Sequence, residues 1–314
     1  MDQSALSIFS AIVTSIVVEA APFLLLGSLL SSLLAVFVGD DTLARIGRRG
    51  LPTQIALGLF AGLLLPTCEC GIVPVTRRLI RKGVPAGAAI PFMMAAPVVN
   101  PVSIASTYVA FQGDMSMVLL RVAFVLLPAA TLGWVLGAVK GPDLLRPTLE
   151  MAHEHGCGCG HDHGGGEHSG DGKTKPSLPM KLLDVLRHTA HEFLDMGRFL
   201  ILGAFAAALF KVFVPQGMLG LVSGNLVLAV ATMMVLAVLL TVCSEADAFV
   251  AASLSMFPRP ALLAFLALGP MLDLKLIPSF LSAFKRRVAL TVMLVPVGII
   301  FLLAVAMGTL WSPA

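Results

Sequence analysis

Charged residues are scarce in this sequence. Only 12% of its 314 residues are Asp, Glu, Lys or Arg, about half the share found in an ordinary soluble domain. Hydrophobic residues make up 57% of the chain, and the mean hydropathy is +0.94. This composition excludes a water-soluble globule, a disordered chain and a secreted disulfide scaffold. The apolar residues come in long unbroken runs, unlike the short alternating strands of an outer-membrane barrel, so the sequence predicts an all-α polytopic membrane protein.

Several functional signals are missing as well. The net charge of +3 is too small to favour a nucleic-acid partner. No Walker-type GxxxxGK[ST] stretch occurs, so we expect that the chain does not hydrolyse ATP. The HExxH motif of metalloproteases and the CxxC motif of thiol oxidoreductases are also absent. The first residues, Met1 to Ser4, lack the basic character of a signal peptide, and we expect the apolar run that follows to be a retained membrane helix.

Cysteines are few and their spacing does not fit a disulfide framework. Cys68 and Cys70 are separated by one residue, as are Cys157 and Cys159, and Cys243 stands alone. A disulfide within either close pair would be strained. The sequence therefore favours thiols that act as ligands or reactive groups.

Long apolar segments fill most of the chain. A spanning helix needs about 20 apolar residues, which leaves room for eight to ten helices. One polar, Gly/His-rich stretch divides the segments into two groups of four. We therefore predict a first transmembrane repeat (1–140), a cytoplasmic His/Cys-rich loop (141–187) and a second transmembrane repeat (188–314). The eight segments are at about 8–38, 52–75, 84–111, 115–139, 192–214, 226–257, 260–282 and 288–310.

The two groups of segments look like copies of each other. The stretches 23–38 and 199–214 are identical at half of their aligned positions, at an offset of 176. Later in each copy, three polar or proline landmarks align at an offset of 173: Pro85 with Pro258, Pro97 with Pro270, and Asn100 with Asp273. A nearly constant offset across separate landmarks indicates an internal duplication.

Basic residues predict that the two copies are inverted. Arg45 to Arg49 and Arg77 to Lys82 flank the second segment on both sides. If both clusters are cytoplasmic, the segment between them must enter the membrane, break and return. The same rule gives the second copy the opposite orientation. We therefore expect two inverted repeats, each with a broken or re-entrant hairpin, which is the arrangement that marks the midplane site of many transporters.

A cluster of thiols and carboxylates lies at the predicted helix breaks. Proline, glycine, cysteine and carboxylate at membrane depth must line protein or water. The cysteines are soft ligands for a thiophilic ion, and the carboxyls of Glu69, Glu245 or Asp247 are candidates for a coupling proton. The alternative is that the cysteines are small buried hydrophobes. The predicted translocation residues are Cys68, Glu69, Cys70, Asn100, Cys243, Glu245, Asp247 and Asp273.

Four polar residues within apolar segments have further interpretations. Asn100 and Asp273 lie in matching Pro-x-x-[Asn/Asp] turns, where each could bind substrate or cap the helix that follows. Lys275 could neutralise Asp273. Arg121 is expected to extend to the outer membrane interface.

The polar loop carries a separate candidate metal site. It places seven imidazole or thiol ligands within sixteen residues, with glycines between them. Such ligands suit zinc or copper, and the loop could collect or sense the ion in the cytoplasm. The predicted ligands are His153, His155, Cys157, Cys159, His161, His163 and His168.

Three motifs make the chain similar to a known family. They are TCECGIVPV at 67–75, RKGVP at 81–85 and APVVNP at 96–101. With these motifs the chain resembles the bacterial predicted-permease family that includes the ArsP-type organoarsenical efflux permeases. The resemblance implies that Cys68, Cys70 and Cys243 meet trivalent arsenic. The Cys/His-rich loop is similar to that of a branch described as copper/zinc efflux transporters.

The sequence thus leads to one expected function and several alternatives. We expect a secondary permease of the bacterial inner membrane that exports a soft metal or metalloid, namely copper, zinc or a trivalent arsenical. Its partners would be the lipid bilayer and the substrate, with a homo-oligomer left open. No cofactor is required, although the loop could hold a zinc or copper ion. The alternatives are a permease for a small organic or sulfur compound, an intramembrane thiol oxidoreductase, and a metal-sensing subunit without flux.

Overall fold

A computed structural model gives the architecture. It describes residues 49–64, 69–139, 141–146, 225–241, 243–244 and 246–310, with single residues and short stretches between 7 and 32 and between 183 and 208. The helices with defined bounds are α1 (Leu51–Leu64), α2 (Glu69–Arg81), α3 (Ala86–Val99), α4 (Pro101–Ala110), α5 (Met115–Leu136), α6 (Gly141–Leu144), α7 (Leu226–Leu240), α8 (Asp247–Ser253), α9 (Arg259–Leu268), α10 (Leu276–Ala283) and α11 (Arg286–Leu310).

Three helical stretches are long and apolar enough to cross a membrane. They are Ala86–Ala110, which comprises α3 and α4, then α5 and α11. The shorter apolar helices α1, α7 and α9 lie among them. Large side chains on the outer faces of α5 and α11, such as Trp134 and Leu302, are more than 60% exposed. A polytopic membrane protein presents such faces to lipid, and this confirms the predicted all-α membrane architecture.

The first hairpin enters and leaves at one end of the molecule, which we call the Leu51 end. A Cβ placed on Gly137, near the end of α5, would collide with Leu51 and lie 3.4 Å from Gly87 Cα. A Cβ on Gly141 would lie 3.1 Å from Ile80 in the last turn of α2. The start of α1, the end of α2 and the start of α3 therefore share one level. Since α1 ends at Leu64 and α2 begins at Glu69, the predicted re-entrant hairpin is confirmed.

The second hairpin enters from the opposite end, which we call the Asp114 end. The cavity at that end is lined by residues from the α4–α5 turn, including Phe111, and by Ala252 and Phe257 from the end of α8 and just beyond. Helix α11 begins next to Lys285, which contacts Leu144 at the Leu51 end, so α11 finishes at the Asp114 end. Its Gly308 packs there against Leu226, at the start of α7. Helix α7 thus starts at the Asp114 end, and α8 returns to it. The two hairpins point toward each other from opposite sides.

The segments that follow the hairpins run in opposite directions. Helices α3 and α4 lead from the Leu51 end to the Asp114 end. Helix α9 begins at the Asp114 end, where Arg259 pairs with Asp114 at 3.0 Å, and α10 ends at the Leu51 end. There the backbone N–H of Lys285 donates to the carbonyl of Leu144, and Leu145 pairs with Phe284. The two repeats are therefore inverted, as the sequence predicts.

The duplication is also visible at the helix boundaries. Pro85 and Pro258 occupy the N-cap positions of α3 and α9 with nearly identical backbone angles, φ −65°, ψ 149° and φ −64°, ψ 148°. Asn100 separates α3 from α4 and accepts a hydrogen bond from the N–H of Ser103. Asp273 separates α9 from α10 and accepts one from the N–H of Leu276. Both aligned side chains thus accept a hydrogen bond from the N–H three residues further on, Asn100 at the N-cap of α4 and Asp273 in the turn just before α10.

Close helix packing holds the first hairpin against the rest of its repeat. A Cβ on Gly58 of α1 would collide with the carbonyl oxygen of Ala88 and lie 3.1 Å from its Cα. A Cβ on Gly62 would lie 3.0 Å from the backbone of Ala96. Small residues allow helix backbones to approach closely in membrane proteins. Helices α1 and α3 are therefore in backbone contact over two turns.

Candidate functional site

A buried polar cluster lies where the two hairpins meet, and we call it the hairpin junction. Its described members are Glu69 at the start of α2, three residues between α7 and α8, and two residues between α9 and α10. None of them is exposed by more than 5%. The residues of the hairpin junction are Glu69, Thr241, Cys243, Ser244, Asp273 and Lys275.

Lys275 is the centre of the hairpin junction. Its ammonium lies 2.8 Å from Glu69 Oε1, so the second repeat supplies the cation for a carboxylate of the first. The same nitrogen also lies 3.4 Å from the carbonyl oxygen of Thr241 and 4.0 Å from Cys243 Sγ. The Ser244 hydroxyl donates to Glu69 Oε2 at 3.4 Å. Both oxygens of Glu69 are thus held by groups of the second repeat.

The backbone at the junction is unusual at Thr241. This residue ends α7 with φ 49° and ψ 40°, in the left-handed region. A β-branched residue rarely adopts this conformation, and such backbone strain often occurs at functional sites. The break directs the Thr241 carbonyl toward Lys275. Carbonyls of interrupted helices line the substrate and ion sites of many transporters.

A second ion pair joins the repeats beside the junction. Arg121 of α5 donates from Nη2 to both oxygens of Asp247, at 2.9 and 2.7 Å. Its Nη1 donates to the hydroxyl of Thr107 at 2.6 Å, and Nη2 also approaches the carbonyl oxygen of Ser244 at 3.2 Å. Arg121 and Asp247 are each only 2% exposed.

The two ion pairs are reciprocal. Glu69 is the first residue of the returning helix α2 and takes its cation from the second repeat. Asp247 is the first residue of the returning helix α8 and takes its cation from the first repeat. Ser244 contacts both pairs, through its hydroxyl and through its carbonyl. Because an unpaired charge in hydrocarbon is very unfavourable, each pair fixes one hairpin tip to the opposite repeat.

Some of the predicted translocation residues do meet. Glu69, Cys243 and Asp273 share the hairpin junction, and Asp247 lies beside it. Asn100 instead caps α4 and donates to the carbonyl of Pro97 at 2.9 Å, which is the capping alternative. For both Asn100 and Asp273, a role in binding substrate stays a prediction.

The remaining predicted ligands lie outside the described residues. They are Cys68, Glu245, the side chain of Cys70 and the loop residues His153, His155, Cys157, Cys159, His161, His163 and His168. Within the part of the chain that the structure describes, no group of three or more His, Cys, Asp or Glu side chains is arranged to hold a metal ion.

The prediction for Arg121 was wrong. Its side chain is buried against Asp247 instead of extending to the membrane interface. The pairing of Lys275 with Asp273 is confirmed at 3.3 Å, but its closer partner, Glu69, was missed. A sequence feature could have predicted both pairs. Arg121 and Lys275 are basic residues inside apolar segments and therefore need acidic partners, and acidic residues in apolar segments occur at the helix breaks.

A cavity of about 310 Å³ opens at the Asp114 end. It lies between the two repeats and is lined by residues of both, including Gln112 and Ser255. Asp114 caps α5 and pairs with Arg259 across this cavity. The Ser116 hydroxyl that donates to Asp114 lowers the pKa of that carboxyl, and the nearby Arg259 lowers it further. The cavity therefore has a charged rim that both repeats supply.

Comparison with known proteins agrees with this architecture. The family model described as "Predicted permease" matches residues 5–309. The UPF0718 protein YcgR of Bacillus subtilis (strain 168) is 38% identical over 287 residues, which cover 91% of this chain and 92% of that protein. A putative two-component membrane permease complex subunit of Streptococcus mutans is 35% identical over 278 residues, covering 88% and 87%. No solved structure matches the chain.

The match covers both repeats and extends over nearly the whole length of each relative. The relatives are named as a membrane permease subunit or by their family, and the apolar helices fit a multi-pass membrane protein. The chain therefore belongs to the predicted-permease family and is a membrane permease rather than an enzyme.

Proposed function

We propose that this permease is a secondary exporter of a soft metal or metalloid and that the hairpin junction is its translocation site. The observation that carries the proposal is the cross-repeat cluster around Glu69 and Lys275. Two inverted hairpins with ionisable groups at their tips are the usual construction of a transporter's midplane site. Motion of one repeat against the other would expose such a site to each side in turn.

The thiols support a soft substrate. Cys243 is buried in the junction with its sulfur 4.0 Å from Lys275 Nζ. Cys68 and Cys70 flank Glu69, which directly contacts Ser244. We infer that the tips of both hairpins supply thiols to one site. Thiolates bind Cu(I), Zn(II) and trivalent arsenic more readily than hard cations.

The positions of the basic residues support export from the cytoplasm. At the Leu51 end lie Arg49, Arg81, Lys82, Lys285, Arg286 and Arg287. By the positive-inside rule this end is cytoplasmic. Helix α6, which forms the first residues of the predicted Cys/His-rich loop (141–187), also lies at this end. We therefore place the loop in the cytoplasm, where it would bind zinc or copper and deliver the ion.

Everted membrane vesicles can test the thiol site. Uptake of Cu(I), Zn(II) and methylarsenite would be compared between the wild type and the Cys68→Ser/Cys70→Ser variant. The matched control is Cys157→Ser/Cys159→Ser, which removes an equally spaced pair from the loop. We expect the membrane pair to reduce uptake by at least about tenfold, while the loop pair leaves maximal uptake intact. Equal uptake in wild type and the membrane-pair variant would contradict the proposal.

The loop needs a separate test. Deletion of residues 153–168 should reduce uptake at low Zn(II) or Cu(I) concentration and leave methylarsenite uptake unchanged, because only the metals would need a collector. Loss of every flux would instead make the loop part of the translocation pathway. Flux of a small organic or sulfur compound, with no metal or arsenical flux, would favour the alternative substrate. Altered gene expression without any flux would favour a sensing subunit.

We also propose a second membrane subunit. The Streptococcus mutans relative is named as one subunit of a putative two-component permease complex. If this chain assembles in the same way, mild-detergent purification of the tagged protein from its own host should yield a second membrane protein in fixed stoichiometry. Recovery of the chain alone or as a homo-oligomer, with full transport in liposomes, would contradict this assembly.

A further inference from the structure

One carboxylate oxygen of the hairpin junction has no hydrogen-bond donor. Asp273 is fully buried, and its Oδ1 accepts from the backbone N–H of Leu276 at 2.7 Å. Its Oδ2 is enclosed by protein and receives no hydrogen bond. An enclosed, ionised oxygen without a donor is costly in a low-dielectric interior.

Lys275 is close to this oxygen, but the hydrogen bonds of its ammonium go to other acceptors. An ammonium has three donors. Those of Lys275 have acceptors in Glu69 Oε1, the Thr241 carbonyl and Cys243 Sγ. The 3.3 Å approach to Asp273 Oδ2 is thus an electrostatic contact without a hydrogen bond.

The described charges of the junction do not balance. Two carboxyls, Glu69 and Asp273, share one ammonium. One more positive charge would neutralise this group. Hard metal cations require several oxygen ligands around them, and the enclosed Oδ2 offers no room for such a shell. A proton needs no room, and it would turn Oδ2 into a donor.

We propose that Asp273 is the site at which this permease takes up and releases a proton. The described charged group in contact with it is Lys275 on its own segment. The same ammonium also contacts Glu69 from α2 and Cys243 from the α7–α8 connection. Glu69 and Asp247 are less suited to this role, because each already has a cation at 2.8 Å or less. Glu245, the other sequence-based candidate, lies outside the described residues.

The coupling part of this inference rests on the proposed function. When a singly charged cation such as Cu(I) enters the junction, it supplies the missing positive charge, and the proton on Asp273 Oδ2 leaves to the side that is then open. When the substrate departs on the other side, a proton from that side returns to Oδ2. The O–H bond is the only covalent bond that breaks or forms. The junction keeps the same charge throughout the cycle.

The chain itself suggests variants that preserve the fold. The Asn100 side chain accepts a hydrogen bond from the N–H three residues further on, as Asp273 does, so Asp273→Asn keeps this bond and removes only the titratable oxygen. Asp273→Ser is a second variant with a good capping side chain and no carboxyl. Asp114→Asn is the matched control, because Asp114 caps α5 and lies outside the junction.

Infrared difference spectroscopy on the full chain in nanodiscs tests the proton site without any substrate. We expect a protonated-carboxyl band that disappears as the pH rises. It should persist in Asp114→Asn and be lost in both Asp273→Asn and Asp273→Ser. A wild-type spectrum without such a band, or a band of unchanged size in the two Asp273 variants, would overturn the proposal.

Proteoliposomes test the coupling, with Cu(I) and Zn(II) as cationic probes and the voltage clamped by K⁺ and valinomycin; any second subunit that copurifies is included in the reconstitution. Wild type and Asp114→Asn should accumulate a carried probe about tenfold per unit of pH gradient for each proton exchanged. Asp273→Asn should still exchange labelled probe but lose the gradient-driven accumulation. Accumulation retained in Asp273→Asn would refute coupling through Asp273. If wild type carries neither probe but keeps the infrared band, the proton site stands and the soft-metal assignment fails.

Discussion

Replacing Arg121 by methionine is the sharpest test of how the two repeats are held together. Methionine keeps the length of the apolar stem and removes the guanidinium. The substitution eliminates the two hydrogen bonds to Asp247, the one to Thr107 and the one to the Ser244 carbonyl. It also removes the cation from a carboxylate that is 2% exposed.

The expected loss is large because it combines two effects. Removal of one partner of a buried ion pair typically costs about 3–5 kcal/mol, since the other charge stays buried. A single hydrogen bond inside a membrane protein contributes only about 0.6 kcal/mol on average. Thr107→Val should therefore cost much less than Arg121→Met. The double variant Arg121→Met/Asp247→Asn leaves no charge behind, so we expect the two substitutions to be coupled by about 2–3 kcal/mol.

Unfolding by sodium dodecyl sulfate in mixed micelles, followed by circular dichroism, can measure these differences. The control is Arg259→Met, which removes an arginine from another cross-repeat ion pair of similar length, 3.0 Å. That arginine is 61% exposed, so its removal should cost less than about 1 kcal/mol. If Arg121→Met and Arg259→Met cost the same, or if the double variant shows no coupling, the buried pair does not fasten the repeats.

Three further predictions address packing and charge. Gly58→Ala should lower the free energy of unfolding by about 1–3 kcal/mol, because the added Cβ collides with α3. The control is Gly298→Ala, where the added Cβ meets open space, and it should be neutral or stabilising in the same unfolding assay. The pKa of Asp114, measured by carbon NMR, should lie below its ordinary value. The stability that its carboxylate contributes should be present near neutral pH and be lost as the pH falls through that lowered pKa. Lys275→Met should destabilise the protein, and adding Glu69→Gln should recover part of the loss, because it removes the carboxylate that the ammonium pairs with at 2.8 Å; no recovery would contradict the charge balance inferred for the junction.

Local sequence features predicted the architecture well. Proline and glycine next to polar residues inside apolar runs predicted the helix breaks, and basic clusters predicted the inversion. The matching turns at Asn100 and Asp273 gave the register of the two repeats, and in the structure both side chains accept a hydrogen bond from the N–H three residues further on. These features depend on sterics, hydrogen bonding and charge within a few residues, so they can be read from a single segment.

The partners across the two repeats could not be read in this way. Lys275 and Glu69 are 206 residues apart, and Arg121 and Asp247 are 126 residues apart. Whether such groups meet depends on how the helices pack. The general tendency of arginine to extend to the membrane interface gave the wrong result for Arg121 because Asp247 provides a buried partner. The rule that intramembrane charges find partners was the better guide.

The two reciprocal ion pairs differ in a way that suggests different roles. Arg121 holds Asp247 by a fork of hydrogen bonds and also binds Thr107, and a planar guanidinium with several fixed partners resists rearrangement. Lys275 reaches Glu69 by a single short contact from a flexible stem, and the other oxygen and sulfur atoms around its ammonium lie at 3.3 Å or beyond. An ammonium on such a stem can move between neighbouring oxygens with little change in backbone. The pair between Arg121 and Asp247 is therefore suited to fasten a hairpin tip, and the group of Lys275, Glu69 and Asp273 is suited to exchange partners as substrate and proton pass.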